Sequence, residues 1–103
     1  MDDRLSERLI ATDEEFEANL ALLADLSVIA DQKRYREVTG RHSELKPIVD
    51  AYRRYRDAET ESGEAAELAA IEDETEMVEY LNEIVAAKQI EMEETRRWIY
   101  GVC

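Results

Sequence analysis

The feature that most constrains the fold is a run of residues that recur at steps of three and four along the middle of the chain. The run consists of Tyr35, Val38, His42, Leu45, Val49 and Tyr52. This spacing places them along one narrow side of an α-helix and is typical of a coiled-coil seam. We therefore expect a long helix over residues 31–71, with a kink near Pro47, because proline has no N–H to donate and crowds the preceding turn.

Two further segments show helical spacing of apolar residues and predict one helix on either side of the long one. The first, over residues 3–25, carries Leu5, Leu9, Phe16, Leu20 and Leu23. The second, over residues 74–99, carries Met77, Val78, Leu81, Ile84, Val85 and Met92. Asp31 and Asp73 precede the second and third predicted helices, where a carboxylate can accept hydrogen bonds from the free N–H groups of the first turn.

The composition also favours long helices, with only three glycines, one proline and no alternation typical of strands. A long amphipathic helix cannot bury its apolar stripe alone, so the second and third predicted helices are expected to pair antiparallel, with the first alongside. The predicted fold is all-α: an elongated three-helix bundle with a long antiparallel coiled-coil-like helix pair, forming a single domain over residues 1–103. Thr12 and Glu15 leave open a restart of the first helix near residue 13.

Charge is distributed unevenly along the chain. The net charge is −13 at pH 7, yet residues 30–58 contain eight of the thirteen Lys and Arg residues and have a local charge of +3. Such an acidic chain is repelled by duplex phosphate, so we expect no DNA partner. Within the basic stretch, Arg53, Arg54 and Arg56 lie beside two tyrosines, a combination suited to phosphate contact and base stacking. A solvated outer face of the helix is the simpler interpretation.

Few residues of the types used in catalysis or metal binding are present. His42 is the only histidine, whereas carboxylate metal sites in helical bundles use a Glu-x-x-His motif, so the acidic residues 72–76 are interpreted as a solvated, capping turn. The single cysteine, Cys103, excludes an internal disulfide and agrees with a reducing compartment. No membrane-spanning run or secretion signal is present. We expect a cytoplasmic, non-enzymatic protein with no metal, cofactor, small-molecule substrate or membrane partner.

An ordered set of motifs resembles a known family. The segment FEANLALLADLSVIADQKRYREVTGRHSELKPIVDAYRRYRDA contains an Asp-bounded turn with Val, an Asp-x-x-Arg-Tyr-Arg entry to the second helix and a later Val-x-x-Tyr-Arg-x-Tyr. Glu76 and Met77 then follow an acidic turn, where the family usually has Pro-Glu-Met. Over residues 13–94 the chain resembles the N-terminal domain of bacterial peptide chain release factor 1, the factor that ends translation at stop codons.

The resemblance implies a role in docking rather than in chemistry. The family's Gly-Gly-Gln motif for peptidyl-tRNA hydrolysis and its Pro-x-Thr stop-codon motif are both missing from this sequence. In the family, this domain points toward the stalk base of the large ribosomal subunit, where ribosomal protein and rRNA meet. The resemblance therefore implies a non-catalytic, ribosome-docking domain, with Arg53, Arg54 and Arg56 as candidate ribosome contacts. A free-standing helical adaptor that pairs with another helix is the alternative.

The last residues depart from the family pattern. Residues 95–103 read TRRWIYGVC, whereas the family usually continues through a Leu-rich helix end into a Pro-Lys-Asp-Pro segment. We interpret this stretch as an atypical tail and expect it to reflect a truncated product, an altered reading frame or a cloned fragment.

Overall fold

A computed structural model describes all 103 residues of the chain, and its regular elements are all α-helices. These are α1 (Asp3–Leu23), α2 (Leu26–Ile29), α3 (Gln32–Ile71) and α4 (Thr75–Val102). The predicted all-α fold is confirmed. The structure has one helix more than expected, because the turn after the first helix contains α2.

The first three helices begin at aspartate caps. Asp2 accepts a hydrogen bond from the N–H of Leu5 at 2.8 Å, and Asp25 accepts one from the N–H of Ser27 at 2.9 Å. Asp31 accepts one from the N–H of Arg34 at 3.1 Å, which confirms its predicted role as the cap of the long helix.

The predicted cap of the last helix is wrong. α4 begins at Thr75, one residue later than expected, so Glu74 rather than Asp73 occupies the N-cap position. Glu74 makes no side-chain bond to the helix, and its own N–H donates instead to a carboxylate oxygen of Glu72 at 3.1 Å. The hydrogen bond between Glu72 and Glu74 therefore lies within the acidic turn, and the first turn of α4 has no side-chain cap.

The boundaries of the longer helices differ slightly from expectation. α1 is uninterrupted and ends at Leu23, where the N–H groups of Ala24 and Asp25 bond back to the last turn. α3 is a helix of 40 residues that includes Pro47. α4 extends to Val102 and so includes most of the stretch interpreted as a tail.

The chain forms two compact units, Met1–Asp50 and Ala51–Cys103. The first unit contains α1, α2 and the N-terminal part of α3, and its core cluster consists of Phe16, Leu45 and Val49. The seam residues of this part of α3 are buried as the spacing predicts, except that His42 is half-buried and Tyr35 is 41% exposed.

The two helices of the first unit run antiparallel. Asn19 contacts Val38, whereas the earlier residue Glu15 contacts the later residue Arg41. The side-chain amide of Asn19 donates to the backbone oxygen of Val38 at 3.1 Å, although Asn19 is only 5% exposed. This carbonyl satisfies the donor side of the buried amide.

The second unit consists of the remaining part of α3 and α4. Arg54 pairs with Glu91, and the later residue Glu61 pairs with the earlier residue Lys88, so these helices are antiparallel as predicted. The residues buried in this unit are Tyr52, Ala58, Ser62, Ala65, Leu81, Thr95 and Ile99. Since Thr95 and Ile99 are among them, the departure from the family pattern lies within packed helix.

Candidate functional site

The three predicted contact arginines lie on α3 in the second unit, but they do not form one patch. At about 100° per residue, Arg53 and Arg56 are on neighbouring faces of the helix, whereas Arg54 and Arg56 are about 160° apart. Arg54 and Arg56 are exposed and Arg53 is half-buried. One flat surface can therefore be contacted by two of these side chains, but not by all three.

Each of these arginines already has a contact within the chain. The guanidinium of Arg54 donates twice to Glu91, at 3.2 and 3.3 Å. The guanidinium carbon of Arg56 lies 5.4 Å from the ring centroid of Tyr52, a cation–π distance. Arg53 also has a partner. Any outside phosphate must therefore compete with these contacts or add to them.

The charge of Arg54 is matched by a local network. Glu91 lies between Arg54 and Lys88, whose ammonium is 3.5 Å from Glu91 and 2.7 Å from Glu61. The hydrogen bond to Glu61 raises the pKa of Lys88. Glu91 is the member that sequence reasoning missed, because it lies 37 residues from Arg54 and on another helix.

His42, a member of the predicted seam, is half-buried and packs against α1. Its ring stacks on Phe16 with centroids 5.1 Å apart and planes inclined by 24°. Its Nδ1 atom is buried and has no hydrogen-bond partner. General base catalysis requires a base within hydrogen-bond reach of the proton that it removes, and this geometry instead gives the ring a packing role.

The outer side of α1 and α3 carries a bidentate ion pair. The guanidinium of Arg41 donates to both carboxylate oxygens of Glu15, at 2.5 and 2.7 Å, and also to Glu44 at 3.0 Å. These hydrogen bonds lower the pKa of Glu15 and raise that of Arg41. Because Glu15 and Glu44 offset the charge of Arg41, this residue adds little unpaired positive charge to the basic stretch.

A second surface lies at the turn between α1 and α3. We call it the α2 surface and define it by Leu26, Ile29, Lys33 and Arg34, all of which are exposed. Leu26 is 80% exposed, whereas Val28 is completely buried. The available signal was Asp25 followed by Ser27, a pattern typical of a capped helical turn, which places Leu26 and Ile29 on one side and Val28 on the other.

The structure places no group of three or more His, Cys, Asp or Glu residues where it would hold a metal ion. The acidic residues 72–76 instead form the turn before α4. None of the helices has the length and apolar content needed to cross a membrane.

Comparison with known proteins identifies the family. A family model described as the PCRF domain matches residues 12–100. Peptide chain release factor 1 of Endomicrobium trichonymphae is 39% identical over 82 residues, which cover 76% of this chain and 23% of that protein. The same factor of Bacillus subtilis is 32% identical over 87 residues, 84% of this chain and 24% of that protein. That of Lysinibacillus sphaericus is 30% identical over 94 residues, 88% of this chain and 26% of that protein.

The chain belongs to the PCRF domain family. The resemblance to release factor 1 that the motifs indicate is thereby confirmed. The chain spans about a quarter of the length of the curated relatives that it matches. No solved structure matches it.

Proposed function

We propose that the chain is a ribosome-docking domain of a class I peptide chain release factor, acting in translation termination in the cytoplasm. The observation that carries the proposal is the family match over residues 12–100, together with relatives named peptide chain release factor 1. The proposal favours this role over that of a free-standing helical adaptor.

The domain is proposed to be non-catalytic. Neither Gly-Gly-Gln nor Pro-x-Thr occurs in the sequence, and His42 packs on Phe16 rather than beside a nucleophile. Its contribution to termination is therefore binding energy, which positions the factor on the ribosome. The proposed site is the stalk base of the large subunit, where the partners are protein and rRNA.

The proposal includes phosphate contact by the arginines of α3. Arg56 and Arg53 lie three residues apart, so both can face the same side, and stacking on Tyr52 leaves the N–H groups of Arg56 able to donate. Arg54 contributes less to such a contact, because Glu91 offsets its charge. We expect Arg53 and Arg56 to account for most of the effect of replacing all three.

A sedimentation experiment tests this contact. The variant with Arg53→Gln, Arg54→Gln and Arg56→Gln is compared with the unmodified chain for binding to purified 70S ribosomes at two salt concentrations. We expect weaker binding and a flatter dependence on salt, because each lost phosphate contact lowers that slope by about one. The control replaces Arg4, Arg8 and Arg97, which are also exposed, by Gln. Equal affinity and slope in the test variant and the unmodified chain would assign these arginines to a solvated face.

A further inference from the structure

The solvent side of α4 carries a row of residues with coiled-coil spacing, which we call the outer seam. Beginning at Tyr80, steps of three and four lead to Glu83, Ala87, Ile90, Glu94 and Arg97. All six side chains are exposed, whereas Leu81 and Ile99 on the inner side of the helix are buried. The outer seam therefore has the periodicity of a helix–helix contact, although no helix of the second unit covers it.

A groove lies along the C-terminal half of the outer seam. It has a volume of about 420 Å³ and is lined by Ile90, Glu93, Glu94, Arg97 and Trp98. Ile90 is 60% exposed and Trp98 43%. The side chain of Arg97 is 80% exposed, although it lies 3.5 Å from Glu93. A partly apolar groove with an exposed guanidinium suits an aromatic side chain from a second helix, because the cation can stack on the ring.

The outer seam is complementary to itself in one orientation. Tyr80 and Arg97 lie at equal distances from the midpoint between Ala87 and Ile90. In an antiparallel pair of α4 helices, Ala87 of one copy therefore meets Ile90 of the other. Tyr80 likewise meets Arg97 in the groove. A parallel pair instead places Arg97 against Arg97, and such like-charge contacts are destabilising.

The distribution of charge along α4 favours the same antiparallel orientation. Residues 74–83 contain four glutamates and no Lys or Arg, whereas residues 95–103 contain two arginines and no acid. Antiparallel pairing brings these oppositely charged ends together and places Arg97 about one turn from Glu83 of the other copy. Glu94 lies opposite Glu83 in this register, so the same guanidinium is near both carboxylates. A second copy of α4 thus matches the groove and both charged ends at once.

We propose that the chain forms an antiparallel homodimer through the outer seam of α4, with Tyr80 of each copy in the groove of the other. The inference does not depend on the proposed function. Arg97 and Trp98 lie within residues 95–103, which depart from the family pattern, so the resemblance does not imply this contact. Because half of the outer seam is charged, the dimer is weak, with a dissociation constant on the order of tens of micromolar.

Sedimentation equilibrium over a range of chain concentrations tests the dimer. We expect the average mass to rise from that of one chain toward that of two. Ile90→Arg should weaken the association about tenfold or more, because it buries a charge at the centre of the contact. The control Leu68→Arg changes a side chain that is 54% exposed on α3 and should dimerise like the unmodified chain. Helical circular dichroism and the urea midpoint verify that both variants fold.

Fluorescence provides a second measurement of the same contact. Trp98 is the only tryptophan of the chain and lines the groove. We expect its emission maximum to shift to shorter wavelength as the chain is concentrated, because the ring leaves solvent when the dimer forms. The shift should be lost in Ile90→Arg and retained in Leu68→Arg.

Disulfide trapping tests the orientation. In chains that carry Cys103→Ser, the substitutions Glu79→Cys and Tyr100→Cys are made separately, at positions beside the outer seam near opposite ends of α4. After mild oxidation, we expect a disulfide-linked dimer when the two variants are mixed and little in either variant alone. The inference is overturned by a chain that stays monomeric at about 0.5 mM, well above the expected dissociation constant. It is also overturned if Ile90→Arg dimerises as tightly as the unmodified chain, or if no disulfide is specific to the mixture.

Discussion

The Nδ2 amide of Asn19 on α1 donates to the backbone oxygen of Val38 on α3 at 3.1 Å, inside the packed interface of the first unit. This bond fixes the orientation of the amide, because a carbonyl can accept only from its NH₂ side. The Oδ1 atom of Asn19 is left buried without a partner. The interface therefore depends on one polar contact at a definite register.

Replacing Asn19 by Asp tests that dependence. The substitution removes the donor and places carboxylate oxygen against the oxygen of Val38, so we expect the free energy of unfolding at neutral pH to fall by about 2 kcal/mol or more. Urea unfolding measures the change, and Asn82→Asp, at an exposed position of α4, is the matched control. Equal stability of the two variants would show that the bond to Val38 contributes nothing.

Replacing His42 by Leu should leave the stability of the chain at neutral pH unchanged or higher. The substitution removes the stacking between the His42 ring and Phe16, but it also removes a buried Nδ1 atom that has no hydrogen-bond partner. These effects oppose each other, so we expect a net change within about 1 kcal/mol. Urea midpoints decide the point, and a loss above about 1.5 kcal/mol would reveal a polar partner of the ring.

The ion pair between Glu15 and Arg41 predicts a pH dependence of stability. Hydrogen bonds from Arg41 lower the folded pKa of Glu15 from its ordinary 4.5. The stabilisation is therefore present above pH 4.5 and is lost as the pH falls through the lower, folded pKa. We expect a small effect, since both side chains are nearly half exposed.

Urea unfolding between pH 2 and pH 7 measures this effect. Glu15→Gln should be less stable than the unmodified chain at neutral pH, and the difference should disappear in acid. Glu14→Gln removes the same charge at an exposed neighbouring position and serves as the control. A difference that stays constant with pH would contradict the assigned pair.

The stretch that departs from the family pattern is predicted to contribute to folding. Ile99 is completely buried in the second unit, whereas Ile90 on the same helix is 60% exposed. We expect Ile99→Ala to lower the free energy of unfolding by about 2–5 kcal/mol, because the cavity removes packing as well as apolar burial. Ile90→Ala should cost far less, and similar losses in the two variants by urea titration would argue against the packing of this stretch.

The sequence predicted those features of the fold that depend on neighbouring residues. Steps of three and four from Val38 to Tyr52 define a buried side of α3, and Asp31 caps that helix through its own first turn. Burial of Asn19 was missed because it depends on the carbonyl of Val38, a partner from another helix. The short helix α2 was missed because a single turn is too brief to show a period.

The candidate site was predictable to the same limited extent. Helical spacing places Arg53, Arg54 and Arg56 off the seam, but it does not reveal that Glu91 of α4 offsets the charge of Arg54. The exposure of Leu26 also depends on packing, because burial of Val28 determines which side of α2 points outward. The sequence pattern thus locates the charged segment. Which of its charges are offset by ion pairs, and which apolar side chains are exposed, can be determined only from the folded structure.

The most direct test of the ribosome-docking role is one reaction with two readouts. The chain is added to 70S ribosomes that carry peptidyl-tRNA at a stop codon, and the pelleted chain and the released peptide are both measured. The account predicts that the chain sediments with the ribosomes, dissociates as salt is raised and releases no peptide. A chain that remains in the supernatant at low salt, or that releases peptide in response to the stop codon, would contradict it.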